Sequence, residues 1–587
     1  MASNKKYWQS VAEIEDNSIV EALSKNEFVE EIPTDEFLGD KETLETSSTS
    51  RRDFLKYVGF TTAAATLAAC EGPVKKSIPY VVKPNDLTVG IADWYATAIA
   101  DGFDFANILV KTREGRPILV MPNKEANGTT NARVQASVLS LYDESLRLKE
   151  PRKGKEAISW NSAHSQIGAE LEKLKTANTP VVLLTGTLAS PSTEKVIADF
   201  IAKYPNVKHV AYDAISESGT ADAFEAMFGQ RALPNYHFDK ASTIVSFGAD
   251  FLGDWQGGFE RGYAASRNLD HGKMSYHVQF EANMSLTGAN ADKRVVTKPS
   301  DQVFALINLY NAVTGNNVAS KSTPVDAQIK EVAKALKNSG SKGVVVSGSN
   351  DKNAQLIAFA INDALQSEVF DASNPLHTRK GNDAEVASLI SDIKAGKVGG
   401  LITYNVDPVY NLAAVDFKSA LEKVPFSVAM SVQDDATANA TQFTLPMTHF
   451  LESWGDVMMT EGNYGLVQPT INKLFNTSQF QEVLLKWSGN TTSYYDYLKA
   501  FWASNVLKGQ SWNKALHDGF HTVKVSSKVS KKSVDISSAV SSAVKGIAQD
   551  GFELNLFSST ALGDGKQANN PWLQELPDPT TRASWDN

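Results

Sequence analysis

The chain has 587 residues, 42% hydrophobic and 21% charged, with a formal net charge of −10 and one cysteine. That length exceeds one compact core and calls for two or three domains. The acidic balance argues against a nucleic-acid partner, since phosphate binding needs a basic field. One thiol excludes an internal disulfide, and also a self-contained iron–sulfur cluster, which takes about four thiolates. The usual zinc patterns are absent, and no apolar run reaches the roughly 20 residues that span a bilayer.

Residues 1–49 are acidic (Glu13, Glu15, Asp16, Glu30, Glu31), carry few core signals and read as a flexible leader. Ser50-Arg51-Arg52-Asp53-Phe54-Leu55-Lys56 then precedes the mildly apolar residues 57–69. A charged segment ahead of a short apolar one is a targeting signal, and the paired Arg51-Arg52 addresses the route that exports folded proteins. Leu67-Ala68-Ala69-Cys70 closes residues 50–70 as a lipobox would, making Cys70 an acylated mature N-terminus. The alternative is a cysteine acting as a small buried hydrophobe, but Glu71-Gly72-Pro73 breaks any helix that would bury it. Two or three acyl chains anchor durably where one does not. The expected location is the periplasmic face of the cytoplasmic membrane.

Residues 71–160 read as a mixed α+β domain, with two strands over residues 107–120 and a turn at Glu114-Gly115. The pattern then becomes parallel α/β. Residues 180–186 form an apolar strand of the kind buried on both faces. Ser190 and Pro191 supply the N-cap and first position of a helix, Glu194 meets its dipole, and Val196, Ile197, Phe200 and Ile201 form its inward stripe. Strands follow at 208–213, 243–248 and 275–280, giving a first α/β domain over residues 161–330. The scheme recurs over residues 331–490, with strands at 343–349, 400–405 and 426–430. A helix runs through Ala354, Ile357, Ala358, Ile361 and Leu365. Two doubly wound, Rossmann-like sheets are predicted, with any ligand at the carboxyl ends of their strands. Residues 491–587 read as irregular, with an exposed Ser/Lys-rich hairpin or insertion within 521–545. Its Lys524, Lys528, Lys531 and Lys532 make a solvated edge, or a docking patch for an acidic partner or lipid headgroup.

Several segments fall in a telling order. Ala136-Ser137-Val138-Leu139-Ser140-Leu141-Tyr142-Asp143 and Ile158-Ser159-Trp160 come first. Phe238-Asp239-Lys240-Ala241-Ser242-Thr243-Ile244-Val245-Ser246-Phe247-Gly248-Ala249-Asp250 and Asn405-Val406-Asp407-Pro408 follow. Thr437-Ala438-Asn439-Ala440-Thr441-Gln442-Phe443-Thr444-Leu445-Pro446 with Leu451-Glu452-Ser453-Trp454-Gly455-Asp456 is the most specific block. Together they resemble the molybdopterin oxidoreductase superfamily over most of residues 80–587. That resemblance implies an α/β fold with two Rossmann-like domains, in which Gly248, Asp250 and Asp254 face one pterin nucleotide and Asn405 and Asp407 the other.

The leader opening Lys6-Tyr7-Trp8-Gln9-Ser10, the displaced twin arginine, Ser77-Ile78-Pro79-Tyr80-Val81 and residues 568–579 more closely resemble the molybdopterin-like subunit of alternative complex III. This is a membrane-bound respiratory complex that oxidises quinol. The resemblance implies integral membrane quinol-binding subunits and cytochrome c-type and iron–sulfur subunits as partners. It also implies a molybdopterin-like half without a cofactor, the iron–sulfur clusters and haem lying on a C-terminal half or on partner subunits. The sequence runs to Trp585-Asp586-Asn587 without that family's barrel and cluster domain, and reads as a truncated or split version.

The loop residues fit this reading, because carboxylates at Asp250 and Asp254 around Gly253 would repel a diphosphate. No catalytic residue, metal ligand or cofactor is therefore expected, and Gly248, Asp250, Asp254, Asn405 and Asp407 are taken as loops of a vestigial pocket. The alternative is an exported molybdenum bis-pterin enzyme with Ser216 or Ser218, in Ile215-Ser216-Glu217-Ser218-Gly219, as metal ligand. A loop serine otherwise makes local turn bonds. His517 and His521 stand four apart, as two helical metal ligands would, but Gly519 between them weakens the helix. Trp94-Tyr95 and Trp454 read as core or interface residues rather than quinone contacts.

Overall fold

The computed structural model describes residues 90–253, 255, 257–272, 274–524, 529–547 and 551–585. The leader, Arg51, Arg52, Cys70, Asp254 and Lys528 lie outside the described residues.

The strands in chain order are β1 (Ala92–Ala100), β2 (Phe105–Arg113), β3 (Arg116–Pro122), β4 (Arg152–Lys153), β5 (Glu156–Ala157), β6 (Val181–Thr185), β7 (Val207–Ala211), β8 (Leu233–Tyr236), β9 (Thr243–Phe247), β10 (Tyr276–Glu281), β11 (Lys293–Val296), β12 (Gly343–Ser347), β13 (Phe370–Leu376), β14 (Gly400–Tyr404), β15 (Phe426–Ser431), β16 (Phe443–Pro446), β17 (Gly455–Thr460), β18 (Asn463–Val467) and β19 (Phe520–Thr522). They make four sheets: β1-β2-β3, β11-β10-β9-β12, β19-β18-β17-β13-β8 and β5-β4-β16-β15-β14-β6-β7. The first is antiparallel, with the expected turn at Glu114-Gly115 between β2 and β3. In the second and fourth, strands β9, β10, β11 and β12 and strands β6, β7, β14, β15 and β16 run parallel. Strands β6, β9, β12 and β15 are buried at every position, as strands covered by helices on both faces must be.

Local signals behave as the residues dictate. Ser190 caps the helix Pro191–Lys203 by accepting from the Thr193 amide, Pro191 and Glu194 fill its first turn, and Val196, Ile197 and Phe200 enter the core. The larger sheet buries Ile167, Phe200, Leu484 and Trp502; the smaller buries Phe280, Ile307, Val332 and Ile357.

Two expectations are corrected. The parallel sheets are not successive halves divided at residue 330. Strand β6 pairs with β14, and β9 pairs with β12, so the four-stranded sheet is carried by an insertion between β7 and β14. The two ends of that insertion meet: the Asn382 amide donates to Ala211 O at 3.1 Å, and the Gly381 amide to Asp213 Oδ2 at 2.8 Å. The C-terminal region is not an irregular stretch with an exposed hairpin either. Helices Tyr494–Asn505 and Trp512–Asp518 bury Trp502 and Trp512 in the main core. After the short edge strand β19, residues 536–543 form a helix rather than a second strand. Asp535 caps it, and Ala539 and Val540 are buried. Lys531 pairs with Asp363 at 2.5 Å, which ties one of the four lysines to the body.

Candidate functional site

The two parallel sheets repeat one unit. Strand β9 runs into Gly248-Ala249-Asp250 and β14 into Asn405-Val406-Asp407. Each strand sits between two parallel neighbours, β10 and β12 in one sheet and β15 and β6 in the other. Gly248 and Asn405 both turn left-handed, at φ 64° and 53°, a conformation that glycine and asparagine tolerate best. The Gly248 amide donates to Phe280 O at 2.8 Å, and the Asn405 amide to Met430 O at 3.0 Å. Two residues on, an aspartate receives a threonine from the next strand–helix turn. Asp250 accepts the Thr287 amide at 2.9 Å and hydroxyl at 2.7 Å; Asp407 accepts the Thr437 amide at 3.0 Å and hydroxyl at 2.7 Å. Each threonine oxygen also accepts an amide two residues beyond its aspartate, from Leu252 at 3.0 Å and Val409 at 3.1 Å. The carboxylates thus brace the turn.

The unit at Asn405 and Asp407 opens on a cavity. A cleft of about 290 Å³ lies over the carboxyl ends of β6, β14 and β15, and Gly186, Asn405, Asp407, Ser431 and Asp435 are among its lining residues. The β1–β2 turn and residues 564–567 close over it. They meet at one atom: Asp101 O accepts Asn405 Nδ2 at 2.8 Å and the Lys566 ammonium. The rest of this C-terminal strap is tied down by Arg133, whose guanidinium donates to Thr560 O and forms a buried pair with Asp104 at 2.9 Å. Gln567 donates to Arg133 O at 3.2 Å and Asn569 to Asp143 at 2.6 Å.

The charge in this cleft is negative. Asp101, Asp213, Asp407, Asp435, Asp456 and Asp564 line it against one amine, Lys566. Burial pushes the Asp101 carboxyl up to about 6, with Lys566 opposing the rise. Burial likewise raises Asp435 to about 6, aided by Asp407 and Asp434. His449, also in the lining, is held down to about 3 by burial and by Arg147. It is therefore neutral at pH 7, with Nε2 2.9 Å from Ser140 Oγ and Nδ1 accepting the Leu451 amide at 3.2 Å. A dinucleotide's diphosphate needs free amides or cations, and the one lysine is already spent on a backbone carbonyl. The volume lies at the lower end of the range for a single drug-sized ligand. These residues do not fit a pair of pterin dinucleotides.

The residues expected to form one pocket are therefore split. Asn405 and Asp407 line the cleft, whereas Gly248 and Asp250 do not. The second unit is tightly packed at its glycines: a side chain on Gly348 would stand 2.3 Å from Gly248 O, and one on Gly248 would meet Gln302 at 2.8 Å. Burial raises the Asp250 carboxyl, which accepts the Thr287 hydroxyl at 2.7 Å. Ser216 and Ser218, the serines of the alternative reading, are not among the residues that line the cleft. Ser216 donates to Asp383 at 2.8 Å, and Ser218 Oγ accepts Arg231 at 2.9 Å and the Asp383 amide at 3.2 Å. His517 is exposed beside Asp518, while His521 lies in β19. Among the described residues no group of three His, Cys, Asp or Glu side chains could hold a metal ion. Trp454 lines the cleft and packs on Tyr495; Trp94 is exposed with Lys111 over its ring. The bracing role of Thr287 and Thr437 is not part of the sequence reading, which has Thr437 only as the start of its most specific block. The paired signal was Thr287-Gly288-Ala289-Asn290 against Thr437-Ala438-Asn439-Ala440.

Two parallel sheets built on a repeated strand–loop unit, with a small antiparallel sheet closing over one of them, give a molybdopterin-oxidoreductase fold. Acetylene hydratase from Pelobacter acetylenicus shares it with a TM-score of 0.51, over 73% of this chain and 74% of that one, at 12% identity. The chain is similar in sequence to the menaquinone reductase molybdopterin-binding-like subunit of Nitratidesulfovibrio vulgaris strain Hildenborough. The two are 24% identical over 524 residues, covering 77% of this chain and 74% of the relative. No family model matches the chain. Among the described residues no helix is long and apolar enough to cross a membrane.

Proposed function

We propose that this chain is a non-catalytic, molybdopterin-oxidoreductase-like structural subunit of a membrane-bound respiratory quinol-oxidising complex of the alternative complex III type. One observation carries the reading: the cleft where the fold would seat its cofactor is lined by aspartates and closed by the strap at Lys566. The similarity to a menaquinone reductase subunit supports its place in quinone-linked electron transfer. Without redox ligands of its own, the chain holds quinol-binding, haem and cluster subunits in register. Arg51-Arg52 export it folded, and acylated Cys70 fixes it at the periplasmic face of the membrane.

The experiment is purification from native membranes in mild detergent, with plasma mass spectrometry for metals and mass spectrometry of the N-terminal peptide. Expected are copurifying integral and haem- or cluster-bearing subunits, no molybdenum or tungsten in the isolated chain, and a lipidated Cys70. Near-stoichiometric molybdenum or tungsten would overturn the non-catalytic reading, and a stable monomer would overturn the subunit reading. An unmodified Cys70 thiol would remove the anchor.

A further inference from the structure

Within residues 551–557, Phe552-Glu553-Leu554-Asn555-Leu556 alternate apolar and polar as a half-buried strand does, and Phe557 follows them. In an ordinary surface strand the apolar set faces the body. Here the polar set does. Glu553 accepts the Ser300 amide at 2.8 Å and hydroxyl at 2.6 Å, capping the helix Pro299–Thr314. Asn555 Nδ2 donates to Asn283 Oδ1 at 2.5 Å. The apolar set stands in solvent: Phe552 is 109% exposed, Leu554 and Leu556 82%, and Phe557 71%. Among the described residues, no backbone–backbone hydrogen bond involves residues 551–557. Two side chains pin the segment to the body, and among the described residues its backbone pairs with no strand.

The exposed area is large for a surface that stays bare. A buried aromatic side chain covers about 150–250 Å², so Phe552 and Phe557 alone present roughly 300–450 Å², and the two leucines add to it. That is at least the size of the largest patch on an ordinary monomer, and a large part of the roughly 800 Å² each partner gives to a stable interface. Met284, next to Asn283, and Val296, on the edge strand β11, are exposed as well. The open backbone selects the occupant. Lipid would leave its amides and carbonyls unpaired, whereas strand addition pairs them and seats alternate side chains in pockets.

We propose that residues 551–557 are a docking strand that adds to a sheet edge in another subunit of the complex, with Phe552, Leu554 and Leu556 filling an apolar groove there. This rests on the subunit reading above. The test uses the full chain in its native host, with a photocrosslinking amino acid at Leu554 and hydrogen exchange on both the purified complex and the isolated chain. Expected are a cross-link to a different subunit of the same purified complex, and amide exchange at 552–557 slowed by roughly tenfold or more in the complex only. L554S/L556S should lose that subunit while leaving the isolated chain's unfolding temperature unchanged. A complex that assembles with these amides still exchanging freely would overturn the docking strand and leave the subunit reading standing. A cross-link only within the chain, or to a second copy, would overturn it too, and in the intramolecular case L554S/L556S would lower the unfolding temperature. If the wild-type chain copurifies with nothing, both readings fall together.

Discussion

Asp250 and Asp407 do the same work in different places. Each receives a threonine amide and hydroxyl at nearly equal distances, two residues after a left-handed turn. The unit at Asp407 faces a cleft closed by a separate sheet and a distant strap, whereas the unit at Asp250 is filled by its own neighbours. Gly348 and Gly186 occupy matching places, just after β12 and β6, and show the difference. An added carbon at Gly348 would stand 2.3 Å from Gly248 O, while at Gly186 the nearest atom is 3.6 Å away. The geometry of the repeated loop therefore belongs to the strand–threonine brace, and what the loop faces decides whether a site exists.

The strongest way to break this comparison is at those glycines. Gly348→Ala sets a side chain against backbone that cannot rotate away, and should cost about 3 kcal/mol or more. Gly186→Ala should stay within about 0.5 kcal/mol. Urea midpoints of the two variants test the pair. Equal losses would mean that the second unit is no tighter than the first.

How much of this could be read beforehand follows the range of the forces involved. Strand β6, the Ser190 cap and the turn at Glu114-Gly115 depend on neighbours a few residues away, and all three were legible. Asn405 and Asp407 were set beside Gly248 and Asp250 by the family resemblance alone, and the shared threonine brace appears in the structure. Strand pairing was not. Val181 meets Gly400 across more than two hundred residues, and the apolar runs of β6 and β12 look alike until that register is known. The helix Ile536–Ala543 hid behind its serines, although Ile536, Ala539, Val540 and Ala543 keep helical spacing behind the Asp535 cap. The strap was illegible for a third reason. Arg133, Thr560 and Lys566 gain meaning only from contacts made across the fold.

A smaller effect sharpens the comparison at the aspartates themselves. Asp250→Ala and Asp407→Ala each strand a threonine amide and hydroxyl whose side chains are fully buried, and each should cost about 2 kcal/mol. Asp250→Asn and Asp407→Asn keep an acceptor oxygen and should recover much of that loss. Thermal unfolding of the four variants is the measurement. If only the Asp407 pair responded, the brace would matter for the cleft and not for the fold.

The smallest effect concerns the one capping position where the units differ in charge. The short helix after β10 is capped by Ser285, which accepts the Gly288 amide at 2.9 Å; the matching helix after β15 is capped by Asp435, which accepts the Ala438 amide at 2.7 Å. Burial, with Asp407 and Asp434 nearby, holds Asp435 up to about 6, against about 3.9 in an unfolded chain. Between about pH 4 and pH 6 the folded state keeps a proton that the unfolded state has released, so stability falls as pH rises through that window. At pH 7 the full cost of the buried charge is present. Asp435→Ser copies the other unit, keeps a cap and removes the charge. It should raise stability at pH 7 by on the order of 1–2 kcal/mol and bring no gain at pH 4. Denaturant titrations at the two pH values read the difference directly. A gain of the same size at both would trace to the serine cap itself and not to relief of a buried charge.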